Sequence, residues 1–320
     1  MTSYRIVILD DGYDHYDAER AILAPLSAEL HLRPCRGDAT AVQTALHDAH
    51  AALVRESPVT AEAIAAAPHL RGIVRYGVGV DNIALTAAAN RRIPVCNVPD
   101  YGVEEVSDHA LALLLAVWRR LPEADARVRA NGWGVPRSRP IRRIDGSTLG
   151  LIGFGRIGAA LLRKARGLNF GRVLIADPAL TSPPPGCELA DIAAVAAEAD
   201  VISLHAPATA ATRHMINAAF LARCKPHAML VNTGRGALID EAALAEALRD
   251  NRLHGAGLDV FETEPLPATS PLRTLPNVIL TDHAAWYSEA AIADLQRKAA
   301  EEVARLLTGA APLHQVNRWD

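Results

Sequence analysis

The sequence predicts an α/β protein made of two parallel sheets, each covered by helices on both faces. Three observations predict it. Short β-branched runs alternate with alanine- and leucine-rich helical stretches; the alternation occurs twice; and 320 residues, half of them apolar, exceed the usual span of one hydrophobic core. In the first hundred residues the expected strands cover 5–9, 51–54, 72–75 and 95–98, separated by helical segments near 17–30 and 61–66. From Thr148 a second series gives six strands, at 149–153, 173–177, 200–205, 228–232, 255–259 and 278–281, a full set for a doubly wound dinucleotide-binding sheet.

Between the two series, residues 104–121 read as one helix. Val106, Ala110, Leu113, Leu114 and Val117 form an apolar face that Leu111, Leu115 and Trp118 widen. A helix apolar over so much of its girth is expected to be buried on several sides, by a subunit contact as readily as by a domain contact. No long polar or glycine-serine linker occurs, so the chain is expected to cross directly between domains near Pro99 and after Trp286. A final helix over 289–307 would then return to the first domain.

The turn Gly153-Phe-Gly155-Arg156-Ile157-Gly158 follows the first strand of the second series. Gly153 permits a tight exit from the strand, Gly155 lets the backbone approach a pyrophosphate, and Gly158 lets the helix pack close to the sheet, whose N-terminal amides face the phosphates. Asp177 ends the next strand, nineteen residues after Gly158. A carboxylate there accepts ribose hydroxyls and repels a 2′-phosphate, which favours NAD over NADP.

Composition excludes several classes. A net charge of -3 gives no long-range attraction for nucleic acid or an anionic membrane. Four cysteines, at 35, 96, 187 and 224, form no CxxC pair and no metal-ligand spacing, so they read as buried thiols in a reducing compartment, with no metal expected. No signal peptide precedes the first strand, and the longest aliphatic run, 110–118, is too short to span a bilayer, which together imply a cytoplasmic protein.

Three stretches carry polar side chains just past predicted strands, where an open parallel sheet presents its ligand crevice. They are Val231-Asn-Thr233-Gly-Arg235-Gly, Gly257-Leu-Asp259-Val-Phe-Glu262-Thr-Glu264-Pro and Thr281-Asp282-His283-Ala-Ala-Trp286. An arginine, acids and a histidine thus reach one edge. Glu262 and Glu264 both suit the acid's part, and spacing does not separate them. His109, on the long helix, reads as structural.

With these motifs on view, the chain resembles the D-isomer-specific 2-hydroxyacid dehydrogenases over essentially its whole length. Within them it is most similar to the C-terminal binding protein branch. The resemblance rests on Arg75-Tyr-Gly-Val-Gly-Val-Asp81-Asn, the glycine turn, His205-Ala-Pro207, Asn232-Thr-Gly-Arg235-Gly, Asp259-Val-Phe-Glu-Thr-Glu264-Pro and His283-Ala-Ala-Trp286-Tyr-Ser. It implies a discontinuous, flavodoxin-like substrate domain (1–98 with 289–320), a Rossmann NAD domain (99–288) and active sites in the cleft between them. It implies a homodimer through the NAD domains, using the helix over 104–121.

The resemblance makes Arg235, Glu264 and His283 catalytic, choosing Glu264 because it directly precedes proline. Arg235 would clamp the keto acid with its planar fork, and His283 would supply the proton, kept charged by Glu264 until transfer. Cofactor contacts fall on Gly153, Gly155, Arg156, Ile157, Gly158, Asp177, His205, Pro207, Thr212, Thr233, Arg235, Asp259 and His283. The backbone of Tyr76, Gly77, Val78 and Gly79 would hold the substrate carboxylate, with Arg235 and Trp286 completing the pocket. An indole there favours an apolar 2-keto acid. Asp282 stands where the family usually has proline, directed either into the site or to solvent. Phosphoglycerate and phosphite dehydrogenases are neighbouring possibilities, the former disfavoured by the lack of an added regulatory domain. Two functions are expected in order: an NAD-dependent 2-hydroxyacid dehydrogenase acting as a 2-keto acid reductase, then an NAD(H)-regulated, corepressor-like binding protein.

Overall fold

A computed structural model describes residues 3–319. The chain divides into two compact units, Met1–Gly102 with Ser288–Asp320, and Val103–Tyr287. The expected crossings at 98/99 and 288/289 stand at 102/103 and 287/288 by this division.

The first unit runs β1 (Tyr4–Ile8), α1 (Asp17–Leu23), β2 (Ala28–Leu32), α2 (Ala39–Leu46), β3 (Ala51–Val54), α3 (Ala61–Ala65), β4 (Gly72–Arg75), α4 (Leu85–Asn90) and β5 (Val95–Cys96), and is completed by the last helix, Glu289–Thr308. The sheet is parallel in the order β2-β1-β3-β4-β5, the flavodoxin-like arrangement. Successive strand residues feed opposite faces: Val7 and Ala52 pack beneath α2 and α3, while Ile6, Ile8 and Leu53 meet Leu295, Val303 and Leu307 of the last helix. One expectation fails here. The helix predicted over 17–30 stops at Leu23, and 28–32 is an edge strand; its Ala-Glu-Leu-His-Leu sequence is partly exposed throughout, so neither a buried run nor a clean alternation marks it.

The second unit opens with α5 (Val103–Trp118) and α6 (Leu121–Arg129). The single helix expected over 104–121 is thus two, parted at Arg120, whose left-handed backbone (φ 52°) precedes a proline at the start of α6. There follow β6 (Thr148–Ile152), α7 (Arg156–Ala165), β7 (Arg172–Ala176), β8 (Glu188–Leu189), α8 (Ile192–Glu198), β9 (Val201–Leu204), α9 (Ala218–Arg223), β10 (Met229–Asn232), α10 (Glu241–Arg249), β11 (Gly255–Leu258) and β12 (Val278–Leu280). The sheet has seven strands, not six, because β8 adds a two-residue edge. Its order β12-β11-β10-β9-β6-β7-β8 is that of a dinucleotide-binding sheet with one further strand. Leu149, Leu151 and Val231 face α5 and α7, and Ile152, Ile202 and Leu230 face α8, α9 and α10.

Much of the apolar face of α5 is buried inside its own unit: Ala110, Leu113, Leu114, Val117 and Trp118 join its core, and the Trp118 indole donates to the Arg142 carbonyl at 3.0 Å. Leu111 and Leu115, which widen that face, are only half-buried. Cys35 and Cys96 are buried as expected, but Cys187 and Cys224 are only half-buried. No helix among the described residues is long and apolar enough to cross a membrane.

Candidate active site

The glycine turn lies where the strand order reverses, between β6 and β9. A Cβ on Gly153 would stand 2.5 Å from the Ala206 amide nitrogen, and one on Gly158 2.8 Å from the Gly153 carbonyl oxygen, so both glycines are required by packing alone. Gly155 differs: a Cβ there meets nothing within 4 Å. It caps α7 on the N-terminal side, and Arg156 and Ile157 follow it with Gly158 in the first turn, whose amides lack intrahelical acceptors. Asp177 is placed to report on this turn, its Oδ2 accepting from the Phe154 amide at 2.7 Å and its Oδ1 from the Ala179 amide at 2.9 Å.

Past β9, His205 bonds the Ser203 hydroxyl through Nε2 at 2.9 Å, and burial pulls its imidazole down to about 4, so it is neutral near pH 7. The loop beyond is tied by Thr212, whose hydroxyl donates to the Pro207 carbonyl at 2.7 Å. Past β10, the Thr233 hydroxyl is buried without a hydrogen-bond partner among the described residues. Open space at Gly155 and an orphaned hydroxyl at Thr233, on the switch-point edge of the sheet, fit a dinucleotide.

The strand ends β10, β11 and β12 are in parallel register, Asn232 beside Leu258 and Leu258 beside Leu280. The next residues of each chain segment therefore emerge together. Fully buried Asn232 shapes the first loop, accepting from the Gly234 amide at 3.0 Å and donating to the Arg235 carbonyl at 2.9 Å. At Gly236 a Cβ would lie 1.8 Å from the Phe261 carbonyl carbon. Only glycine lets the Arg235 loop lie against the segment carrying Glu264.

His283 and Glu264 meet directly, Nδ1 to Oε2 at 2.6 Å. The Glu264 Oε1 accepts the Phe261 amide at 2.9 Å. Burial works against the charge on Glu264. The hydrogen bonds from His283 and Phe261 and the charges of His283 and Arg235 outweigh it, holding the carboxyl below its usual range. The two glutamates differ in their partners: Glu262 turns away to His214 and to the Glu241 amide at 3.3 Å. Asp282 is exposed and takes no part in the bonds that fix His283. Trp286 is half-buried, edge-on to Tyr287 with ring centres 5.9 Å apart.

Two of the expected site residues are engaged by the fold. Asp259 is wholly buried, and its carboxylate accepts the Thr281 hydroxyl at 2.6 Å and the amides of Ala284 and Ala285 at 3.0 Å, an anchoring duty that sequence did not disclose. Tyr76, in the first unit, is not available as a carboxylate donor. Its amide bonds the Val54 carbonyl at 2.8 Å, its ring is in the core, and its hydroxyl donates to buried Glu19 at 2.6 Å. The Gly77 amide is likewise held by the Arg75 carbonyl at 3.0 Å, whereas the amides of Val78 and Gly79 have no acceptor among the described residues.

Residues 111–285 match the model of the D-isomer specific 2-hydroxyacid dehydrogenase NAD-binding domain. The chain is 41% identical over 267 residues to a glyoxylate reductase of Korarchaeum cryptofilum, covering 82% of this chain and 80% of that protein. It is 40% identical over 291 residues to a D-3-phosphoglycerate dehydrogenase of Mycobacterium leprae, covering 89% of this chain but only 54% of that longer one. Among solved structures it is similar to a D-lactate dehydrogenase of Aquifex aeolicus complexed with NAD and lactic acid, with a TM-score of 0.83 at 27% identity over 95% of this chain and 96% of that one. With its NAD-binding unit matched over more than half its length, this chain belongs to the D-isomer specific 2-hydroxyacid dehydrogenase family.

Proposed function

We propose that the protein reduces a small 2-keto acid to the D-2-hydroxy acid, with NADH as reductant. The observation that carries this reading is the 2.6 Å contact between His283 Nδ1 and Glu264 beside a half-buried arginine. A carboxylate on Nδ1 fixes the hydrogen there and leaves Nε2 as the nitrogen that gives and recovers the proton. Arg235 takes the carboxylate and carbonyl oxygens of the keto acid as a bidentate pair and stabilises the negative charge that grows on the carbonyl oxygen until His283 protonates it. Gly155, the first turn of α7, Asp177 and Thr233 would hold NADH, which would supply the hydride.

NAD is preferred to NADP, a reading supported by the carboxylate of Asp177 just past β7, which disfavours a 2′-phosphate. Trp286 gives the substrate side chain an apolar wall. The assembly is a homodimer, tested by light scattering at micromolar protein, where a monomer would remove it.

Loss of NADH absorbance across 2-keto acids, from glyoxylate through pyruvate to branched and thioether-bearing acids, tests the activity. Turnover of at least one is expected, with slower use of NADPH. Tight NADH binding with no turnover of any acid would instead favour the coenzyme-regulated binding protein.

A further inference from the structure

The catalytic assignment of His283 leaves a question of position. Its backbone is left-handed (φ 56°), a conformation disfavoured for a non-glycine residue and so in need of outside support. Part of that support is visible: the His283 amide donates to the Asp259 carbonyl at 2.8 Å, and the two following amides bind the Asp259 carboxylate. The remainder comes from a helix distant in sequence. His109 of α5 sets Nε2 3.0 Å from the Thr281 hydroxyl oxygen and 3.6 Å from Asp259 Oδ1.

Hydrogen accounting fixes the direction of these contacts. Thr281 has one hydroxyl hydrogen, and Asp259, an acceptor only, takes it at 2.6 Å. The hydrogen in the 3.0 Å contact must then be on His109 Nε2. His109 is itself held rigidly, since Lys164 of α7 binds the Glu104 carbonyl at 2.8 Å, the Ser107 hydroxyl at 2.7 Å and the Asp108 carboxylate at 2.7 Å on the turn of α5 just before it.

We propose that His109 is a positioning residue for the reaction: by donating to Thr281 it orients the hydroxyl that holds Asp259, and through Asp259 it keeps the His283 loop in its proton-delivering conformation. This rests on the reading of His283 as the acid–base group. The role was hidden because His109 and Thr281 are 172 residues apart and a histidine on a buried helix ordinarily satisfies only itself.

Steady-state kinetics on the full chain test it, using NADH and whichever keto acid the wild type turns over. His109→Leu removes the donor, and kcat should fall about tenfold to a hundredfold, the scale of a misplaced catalytic group, with the KM for NADH unchanged. His109→Gln, whose side-chain amide still donates, should recover most of the loss. Thr281→Val breaks the same link from the other side and serves if His109→Leu does not fold; the double variant should be no slower than Thr281→Val alone. Wild-type kcat in His109→Leu or in Thr281→Val overturns the proposal, as does a loss that His109→Gln does not relieve. His283→Gln separates the two readings. If it keeps full turnover, the acid–base assignment fails; if it is inactive while His109→Leu is unimpaired, only the positioning role fails.

Discussion

Two histidine–glutamate pairs stand on loops of the second unit, built from the same short segment, and chemistry is proposed for only one. His283 meets Glu264 and His214 meets Glu262. Both histidines have left-handed backbone, at φ 56° and 50°, and the exposures are comparable: 43% and 36% for the first pair's side chains, 35% and 26% for the second's. What differs is the setting. Glu262 accepts the first amide of α10, and its own amide binds Glu241 Oε1 at 2.5 Å, so the second pair fastens a helix N-terminus, where an anion is favoured. Glu264 has Arg235 for a neighbour and a histidine whose loop is anchored by a buried carboxylate. A histidine on a carboxylate is therefore not by itself an active site; the fixed loop and the adjoining cation are what support the catalytic proposal for His283.

The largest effect should come from removing the histidines in turn. His283→Ala is expected to lower kcat by about 10²–10⁴, the usual worth of a positioned general acid, whereas His214→Ala should stay within about twofold of wild type, as for a surface change of ~0.5 kcal/mol. Initial rates of NADH oxidation measure both, and equal losses would erase the distinction. Next come the two arginines. Arg235→Ala should raise the KM for the keto acid by about ten- to a hundredfold, corresponding to the ~1.5–3 kcal/mol of charge-assisted hydrogen bonds. Arg213, 3.8 Å from Glu262, should be replaceable by alanine with no change in KM.

The smallest effect is on acid stability. Because the carboxyl of Glu264 is depressed below its ordinary 4.5 in the folded protein, its contribution is present above that value and disappears as the pH falls through the lowered one. Thermal unfolding of wild type and Glu264→Gln should differ at pH 6, by only ~0.5 kcal/mol for so accessible a pair, and converge toward pH 3. A gap that widens on acidification would reverse the sign assigned to Glu264.

Much of the architecture was legible because strands buried on both faces read as mostly apolar runs: Met229–Asn232 is apolar up to its last residue and Val201–Leu204 is broken only by Ser203. The edges were not. Ala28–Leu32 carries a glutamate and a histidine that only an edge strand accepts, and Glu188–Leu189 is too short to show a period. The strand-end rule brought Arg235, Glu264 and His283 to one edge, since that follows from topology alone. It could not part Glu264 from Glu262, because the turn between them decides which way each points. Nor could it show that Tyr76 and Asp259 are engaged by the fold, since their partners, Glu19 and Val54 for one and Thr281 and Ala284 for the other, are distant in sequence.

The glycine turn carries a last consequence. Gly153 and Gly158 are demanded by the polypeptide itself, where a methyl group would collide with backbone atoms whether or not any coenzyme is present. Gly155 has an unstrained φ of -81° and open space before it, so alanine there would meet no atom of the scaffold, would lose only about 1 kcal/mol of N-cap preference, and would stand where the coenzyme is proposed to bind. Foldability and affinity are thereby uncoupled at a single carbon atom, and selection can tune the grip on the coenzyme at residue 155 without endangering the fold that presents it.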